Sequence, residues 1–256
     1  MYLVTPPLLQ RALRAGSRRV LPQHGDGLVQ RDLGDLFPGI LDTTVRLSAR
    51  EWRREAGMLP LPELVMLAAI CAHLRPRVVL EIGTYLGSST LALASNSPAE
   101  AEIYTLDLPP SMQETRYPLE IGSIRGTPFR LGERYQGSAV EGKIRQLTGD
   151  SASFDFSPWY GRAEVIFVDG NHAYENVRAD SRNAFRCLRP GGVIVWDDYH
   201  PQYGPGVMRA LHEFTDRTIL RIADTRFAVY AGLCGQWEGA SDFLRPGSLR
   251  RLYRNH

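Results

Sequence analysis

Three aspartates in the second half of the chain have the types and spacing to do chemistry together. "FVDGNHAYENVRAD" carries Asp169, with His172 three positions on, and "GGVIVWDDYHP" carries the adjacent pair Asp197 and Asp198. Both stretches begin as apolar β-rich runs, so the acids stand at the ends of strands, at one edge of a sheet. Carboxylates gathered this closely raise one another's pKa, and a hard divalent cation relieves the repulsion. All-oxygen ligation with room for water favours Mg²⁺ over zinc, which would want His or Cys as well. A blander arrangement uses the same residues without a metal: Asp198 caps the turn that follows, and Asp197 pairs with one of the many arginines.

The elements that must position these acids can be read from the alternation of apolar runs. "RVVLEI", "EIYTLDL", "IRQLTG", "AEVIFVDG" and "GGVIVWDDY" read as strands, separated by helical patterns such as "SSTLALAS" and "YENVRADSRNAFRCL". Fully apolar strands alternating with amphipathic helices imply a parallel sheet covered on both faces. "TILRIADT" and "RFAVYAGL" follow with no helix between them and predict a closing antiparallel hairpin. The expected fold is α/β: a doubly wound, mostly parallel seven-stranded sheet with an antiparallel C-terminal hairpin.

In such a sheet the ligand sits beyond the carboxyl ends of the strands, where the strand order reverses. "VLEIGTYLGSST", Val79 to Thr90, is placed there. A dinucleotide loop needs G-x-G-x-x-G so that the backbone can approach a pyrophosphate; here Thr84, Tyr85 and Leu86 separate Gly83 from Gly87. Bulky side chains occupy that approach, which disfavours an NAD(P)-dependent oxidoreductase without removing it. Asp107 ends the second strand, where a carboxylate can accept both hydroxyls of a ribose.

Acidic-x-Gly-x-x-x-Gly after the first strand resembles motif I of the class I S-adenosylmethionine-dependent methyltransferases. The resemblance implies a Rossmann-like methyltransferase fold and a cofactor site made of Glu81, Gly83, Thr84, Tyr85, Gly87, Ser88, Ser89 and Asp107, with Glu81 suited to a cationic ligand. It implies an adenine-edge role for Asp150 and Ser151 in "TGDSASF", and a share of the cofactor site for Asp169. One acid after the fourth strand and an adjacent pair after the fifth further resemble the metal-dependent small-molecule O-methyltransferases, the group of catechol O-methyltransferase and the macrolide sugar O-methyltransferases. That likeness covers about residues 60 to 232. It implies Asp169, Asp197 and Asp198 as Mg²⁺ ligands and His172 as the catalytic base, an imidazole of reference pKa ~6.5 held neutral by a neighbouring dication. The expected activity is methylation of a hydroxyl on a small molecule, a sugar or natural product. A metal-independent methyltransferase and a non-catalytic cofactor-binding protein remain as rivals.

Residues 1–56 mix short amphipathic segments with Pro- and Gly-rich joints and read as an N-terminal helical arm. Residues 57–235 form the domain, with a lid-like insertion at about 108–143, and 236–256 form a C-terminal tail. Net charge is only +2 with scattered basic residues, which argues against a nucleic-acid partner. No run approaches the ~18 apolar residues of a membrane span. Cys71, Cys187 and Cys234 are far apart in apolar sequence and predict buried thiols. The basic residues of the first twenty positions follow a short, proline-broken apolar run, the reverse of a secretory signal, so a cytoplasmic location is expected. A small-molecule acceptor is the expected partner, and the arm leaves room for a homo-oligomer.

Overall fold

The computed structural model describes residues 2–4, 27–52, 55–109, 115–119 and 129–232. The strands are β1 (Tyr2–Val4), β2 (Gln30–Arg31), β3 (Val45–Leu47), β4 (Val78–Ile82), β5 (Glu102–Asp107), β6 (Ile144–Thr148), β7 (Ala163–Val168), β8 (Leu188–Trp196), β9 (Leu220–Ile222) and β10 (Ala228–Ala231). The principal helices are α1 (Leu61–Leu74), α2 (Ser88–Asn96), α3 (Tyr174–Cys187) and α4 (Pro205–Leu211).

Eight strands form the main sheet in the order β2-β9-β10-β8-β7-β4-β5-β6. From β8 to β6 every pairing is parallel, while β10 runs antiparallel to both β8 and β9. All seven strands expected from the apolar runs are present, and the antiparallel hairpin is there as expected, though it does not end the sheet. The eighth strand, β2, comes from the N-terminal arm and pairs in parallel with β9.

Side chains alternate across this sheet with the period of two that a strand imposes. Val79, Val165, Phe167, Val193 and Val195 join the core on the face of α1 and α2. Leu80, Ile166, Val168, Ile194 and Trp196 join the opposite core, with Val177 and Ala184 of α3 and Ala210 and Leu211 of α4. Both faces are dry, which is why these strands read as continuous apolar runs.

Helix α1 starts with Pro62 in its first turn, where the missing N–H costs nothing, and ends at Arg75 in the left-handed conformation ahead of Pro76. It is buried on nearly every side because the arm covers its outer face. Leu33, Leu36, Phe37, Ile40, Val45 and Leu47 share its core. Over 27–52 the arm is irregular, with a single helical turn (Leu33–Leu36), two 3-10 turns and the strands β2 and β3. Gly39 at φ 84° breaks any longer helix there. The amphipathic segment "LLQRALR", the tail at 236–256 and Cys234 lie outside the described residues. Cys71 and Cys187 are buried free thiols.

Candidate active site

The chain crosses from β4 through β5 to β6 on one side, then returns to place β7 on the other side of β4. That reversal opens a crevice between the ends of β4 and β7, and a cavity of about 750 Å³ lies there. Its walls are the loop after β4 (Gly83 to Ser89), the loop after β7 (Asp169 to His172), the acid pair after β8, and the arm segment Glu55 to Leu59, with Tyr203 and Arg226 completing it.

Gly83 is held where no other residue fits: its φ is +102°, its N–H donates to the Leu106 carbonyl at 2.8 Å, and a Cβ would stand 2.0 Å from the Asp169 carbonyl oxygen. Gly87, at φ +83°, packs so closely on Tyr135 that a Cβ would lie 2.6 Å from its ring. Between them Tyr85 is left-handed at φ 45°. Its N–H donates to Asp107 Oδ2 at 2.6 Å, and the Leu108 N–H donates to Oδ1 at 2.7 Å. Asp107 thus clamps the loop; burial raises its pKa, and these backbone donors pull it partly back.

The cavity brings together Gly83, Thr84, Tyr85, Gly87, Ser88, Ser89 and Asp169 of the expected cofactor residues, but Glu81, Asp107, Asp150 and Ser151 do not line it. Glu81 is fully buried in the sheet, its Oε2 accepting from Thr90 at 2.5 Å and Thr105 at 2.6 Å. Burial pushes its pKa up to about 7 against those hydrogen bonds. A residue in mid-sheet register faces a core, so the Glu81 carboxylate does not reach the cavity. Asp150 builds its own turn, accepting from the Ala152 N–H at 3.0 Å, and ties down the insertion by accepting from the Arg116 N–H at 2.7 Å. The Ser151 carbonyl accepts from Asn183 at 3.3 Å.

The described part of the insertion touches the glycine loop. Gly132 N–H donates to the Tyr85 carbonyl and Arg134 N–H to the Leu86 carbonyl, at 2.8 and 2.9 Å, so 129–137 buttresses the glycine loop from outside. Arg134 is 6% exposed and pairs with Glu55 at 2.7 Å, which joins this buttress to the arm segment on the cavity wall.

At the other end of the cavity the three aspartates and His172 meet. His172 Nε2 lies 3.6 Å from Asp169 Oδ1 and Nδ1 lies 3.2 Å from Asp198 Oδ2, so both ring nitrogens face carboxylates. Asp169, His172 and Asp198 each offer a ligand atom within 4.8 Å of the others, a set that fits a divalent cation. Asp197 is set apart from them. It is 5% exposed, its Oδ1 has no hydrogen-bond partner, and its Oδ2 is 3.4 Å from Arg226 Nη2. Burial and the nearby Asp169 and Asp198 push Asp197 well above the ordinary carboxylate range; burial likewise raises Asp169 to about 6 although His172 opposes the shift.

Arg226 is the site residue that sequence reasoning missed. It sits just before β10, and the antiparallel pairing of Ala228 with Trp196 carries it alongside the acid pair. Nη1 donates to Asp198 Oδ1 at 2.6 Å and Nη2 to Glu63 Oε2 at 3.0 Å. Burial alone would lower its pKa, but Asp197, Glu63 and Asp198 more than offset this and push it up. The expectation that Asp197 could pair with an arginine foresaw this contact without identifying its donor. Nothing local in "DTRFAV" marks Arg226; only the long-range pairing of the hairpin does. Asp198 itself is left-handed at φ 55°, and Gly204 packs where a Cβ would be 2.0 Å from the Asp198 carbonyl oxygen, so the turn after the acid pair has a fixed shape.

A family model described as a methyltransferase domain matches residues 80–199, from β4 to the acid pair. Demethylmacrocin O-methyltransferase of Streptomyces fradiae and mycinamicin VI 2''-O-methyltransferase of Micromonospora griseorubida are each 30% identical over 86 residues, covering 32% of this chain. The match spans only 22% of the length of each of those relatives. Among solved structures, the O-methyltransferase TomG of Streptomyces achromogenes, which acts in tomaymycin synthesis and was solved with its S-adenosylmethionine, superposes with a TM-score of 0.52 at 17% identity, over 80% of this chain and 92% of that one. Strand order, the glycine loop at the switch point and the matched span agree: residues 80–199 match a methyltransferase domain, and the chain is similar to S-adenosylmethionine-dependent O-methyltransferases in sequence over that span and in fold.

Proposed function

We propose that the chain moves a methyl group from S-adenosylmethionine to a hydroxyl of a small molecule, a sugar or natural product, with a divalent cation at the acid cluster. The observation that carries this reading is one cavity with a glycine loop at the sheet's switch point and an acid-histidine cluster at its other end. When bound, S-adenosylmethionine would supply an electrophilic methyl to the acceptor oxygen and leave as S-adenosylhomocysteine, and His172 would take the hydroxyl proton. A bound divalent cation would orient the acceptor oxygen and lower its pKa.

The chain's own contribution is placement. Gly83 and Gly87 would let the backbone run close under the cofactor, and Asp169, on the same cavity wall, would face its cationic end. Glu55 to Leu59 form the wall of the cavity on the side of the N-terminal arm. His172 lies on the same wall, turned toward Asp169 and Asp198. The names of the macrolide-modifying relatives favour a sugar-bearing acceptor. Among the described residues no helix is long and apolar enough to cross a membrane.

A second reading draws on Arg226. Because it pairs with Asp197 and Asp198, it supplies the counter-charge that a metal-independent methyltransferase would need. Incubation with S-adenosylmethionine and a panel of glycosides and catechols, with and without EDTA, separates the two. Products heavier by one methylene and lost in EDTA are expected; EDTA-resistant turnover would establish the second reading, and failure to bind S-adenosylhomocysteine would defeat both.

A further inference from the structure

We propose that Tyr203 is the platform on which the acceptor lies: its ring carries the flat, apolar face of an acceptor ring, the C–H face of a sugar or the face of an aryl group, while a hydroxyl of that ring points to the acid end of the cavity. The inference rests on the methyltransferase reading above and adds the residue that selects the acceptor.

A single exposed aromatic side chain is ordinary on a protein surface, so its place matters more than its exposure. Tyr203 lines the cavity and is 58% exposed. The side chains that share this end of the cavity with it, Asp169, Asn171, His172, Asp197, Asp198 and Arg226, are all polar or charged. Tyr203 therefore supplies the flat apolar surface there. Tyr160, also exposed, is not part of the cavity wall.

The turn that carries Tyr203 fixes the position of its ring. The His200 N–H donates to the Asp198 carbonyl at 2.7 Å and the Gly204 N–H to the His200 carbonyl at 2.8 Å, so the backbone is tied on both sides of Tyr203. The Gln202 N–H donates to His200 Nδ1 at 3.2 Å, and the His200 ring lies against Tyr203 with centroids 4.7 Å apart and planes 36° from parallel. Arg226 places its guanidinium 5.7 Å from the centroid of the same ring while its Nη1 holds Asp198. One arginine thus links the ring to an acid of the cluster. A tyrosine held in this way has few rotamers left to lose when a ligand covers it.

This arrangement selects by shape. Hydroxyl groups of an acceptor answer the polar side chains at the acid end, and the apolar face of the same molecule needs a surface that asks for no hydrogen bond. The electron-rich face of tyrosine provides it, for polarised C–H groups and for aryl rings alike. A ring laid on a fixed plane also presents a defined hydroxyl toward His172, which an open-chain acceptor does not.

The test uses the full chain, saturated with S-adenosylhomocysteine, and three probes: methyl β-D-glucopyranoside, methyl α-L-rhamnopyranoside and catechol. Titration followed by saturation-transfer NMR reads the affinity of each and the ring protons in contact. At least one probe is expected to bind, and the sugar and catechol arms tell the two kinds of flat face apart. Tyr203→Ala and Tyr203→Leu should each weaken the bound probe about tenfold, whereas Tyr203→Phe, which keeps the ring, should recover the affinity to within about threefold. Tyr160→Ala is the control and should change nothing. The proposal is overturned if Tyr203→Ala binds as the unmodified protein does, if Tyr203→Leu recovers as well as Tyr203→Phe, or if none of the probes binds. Calorimetry with S-adenosylhomocysteine on the same samples separates this from the reading beneath it. Unmoved affinity in Tyr203→Ala is expected; a parallel loss there would make Tyr203 a structural residue and overturn the platform, and no binding by the unmodified protein would defeat the methyltransferase reading itself.

Discussion

At the scale of single residues, the site is made by atoms that leave no room for alternatives. Gly83 combines a φ of +102° with a Cβ position 2.0 Å from the Asp169 carbonyl oxygen, so a methyl group there must force β4 and β7 apart at the point where the cavity opens. Gly83→Ala is therefore expected to cost about 2 kcal/mol or more in stability and to weaken S-adenosylhomocysteine by at least about tenfold. Thermal unfolding and calorimetry check the two effects; a variant with unmodified affinity would show that the cofactor does not depend on this close approach. The sequence already marked Gly83 and the acids, because glycine after a strand and carboxylates at strand ends carry local signals. Glu81 was misjudged for a physical reason: its charge drew attention, yet mid-strand register aims it into the interior, where Thr90 and Thr105 receive it. Arg226 carries no local signal, since its partners Glu63, Asp197 and Asp198 are distant along the chain and meet it only through folding.

At the scale of elements, the glycine loop owes its shape to segments outside the α/β alternation. Backbone hydrogen bonds from Gly132 and Arg134 hold the Tyr85 and Leu86 carbonyls, and the Arg134–Glu55 pair carries the restraint to the wall at Glu55 to Leu59. Because Arg134 is largely buried, cutting this pair leaves Glu55 with a lost partner and the wall less fixed. Arg134→Met should lower S-adenosylhomocysteine affinity by about three- to tenfold, with a smaller loss from Glu55→Gln, which keeps a hydrogen-bonding end. Equal affinities in calorimetry would return Arg134 to a purely structural role. The central strands β4, β7 and β8 were legible because each is an apolar run with dry cores on both faces, and the insertion at about 108–143 drew notice by its irregular composition. Its buttressing role was not legible, since it rests on backbone groups that every residue type supplies. The two-residue strand Gln30–Arg31 was equally hidden: both residues are exposed, so no alternation of apolar side chains announced it.

At the scale of the whole molecule, the fold carries several carboxyl groups deep enough to couple its stability to pH. Glu51, Glu81 and Asp180 lie in different parts of the structure, and burial raises each to about 7. Asp180 isolates the effect best, for it stands on α3, fully buried, and it has no ion pair with the three aspartates or His172 among the described residues. Burial moves it from an ordinary 3.8 to about 7, outweighing the lowering by Ser151, and the charge of Asp150 adds to the rise. A raised folded-state pKa means that between 3.8 and about 7 the folded chain keeps a proton that the unfolded chain has released. Its stabilising share is thus full below 3.8 and is lost progressively as pH climbs through that window. Asp180→Asn removes the titration while keeping the shape, so the variant should gain on the unmodified protein as pH rises. The gain from about pH 5 to about pH 8 should be on the order of 2 kcal/mol. Glu51 and Glu81 titrate in both proteins and cancel in the difference. Urea unfolding at the two pH values measures it directly, and a stability difference that does not change with pH would mean that Asp180 is solvated in the folded state.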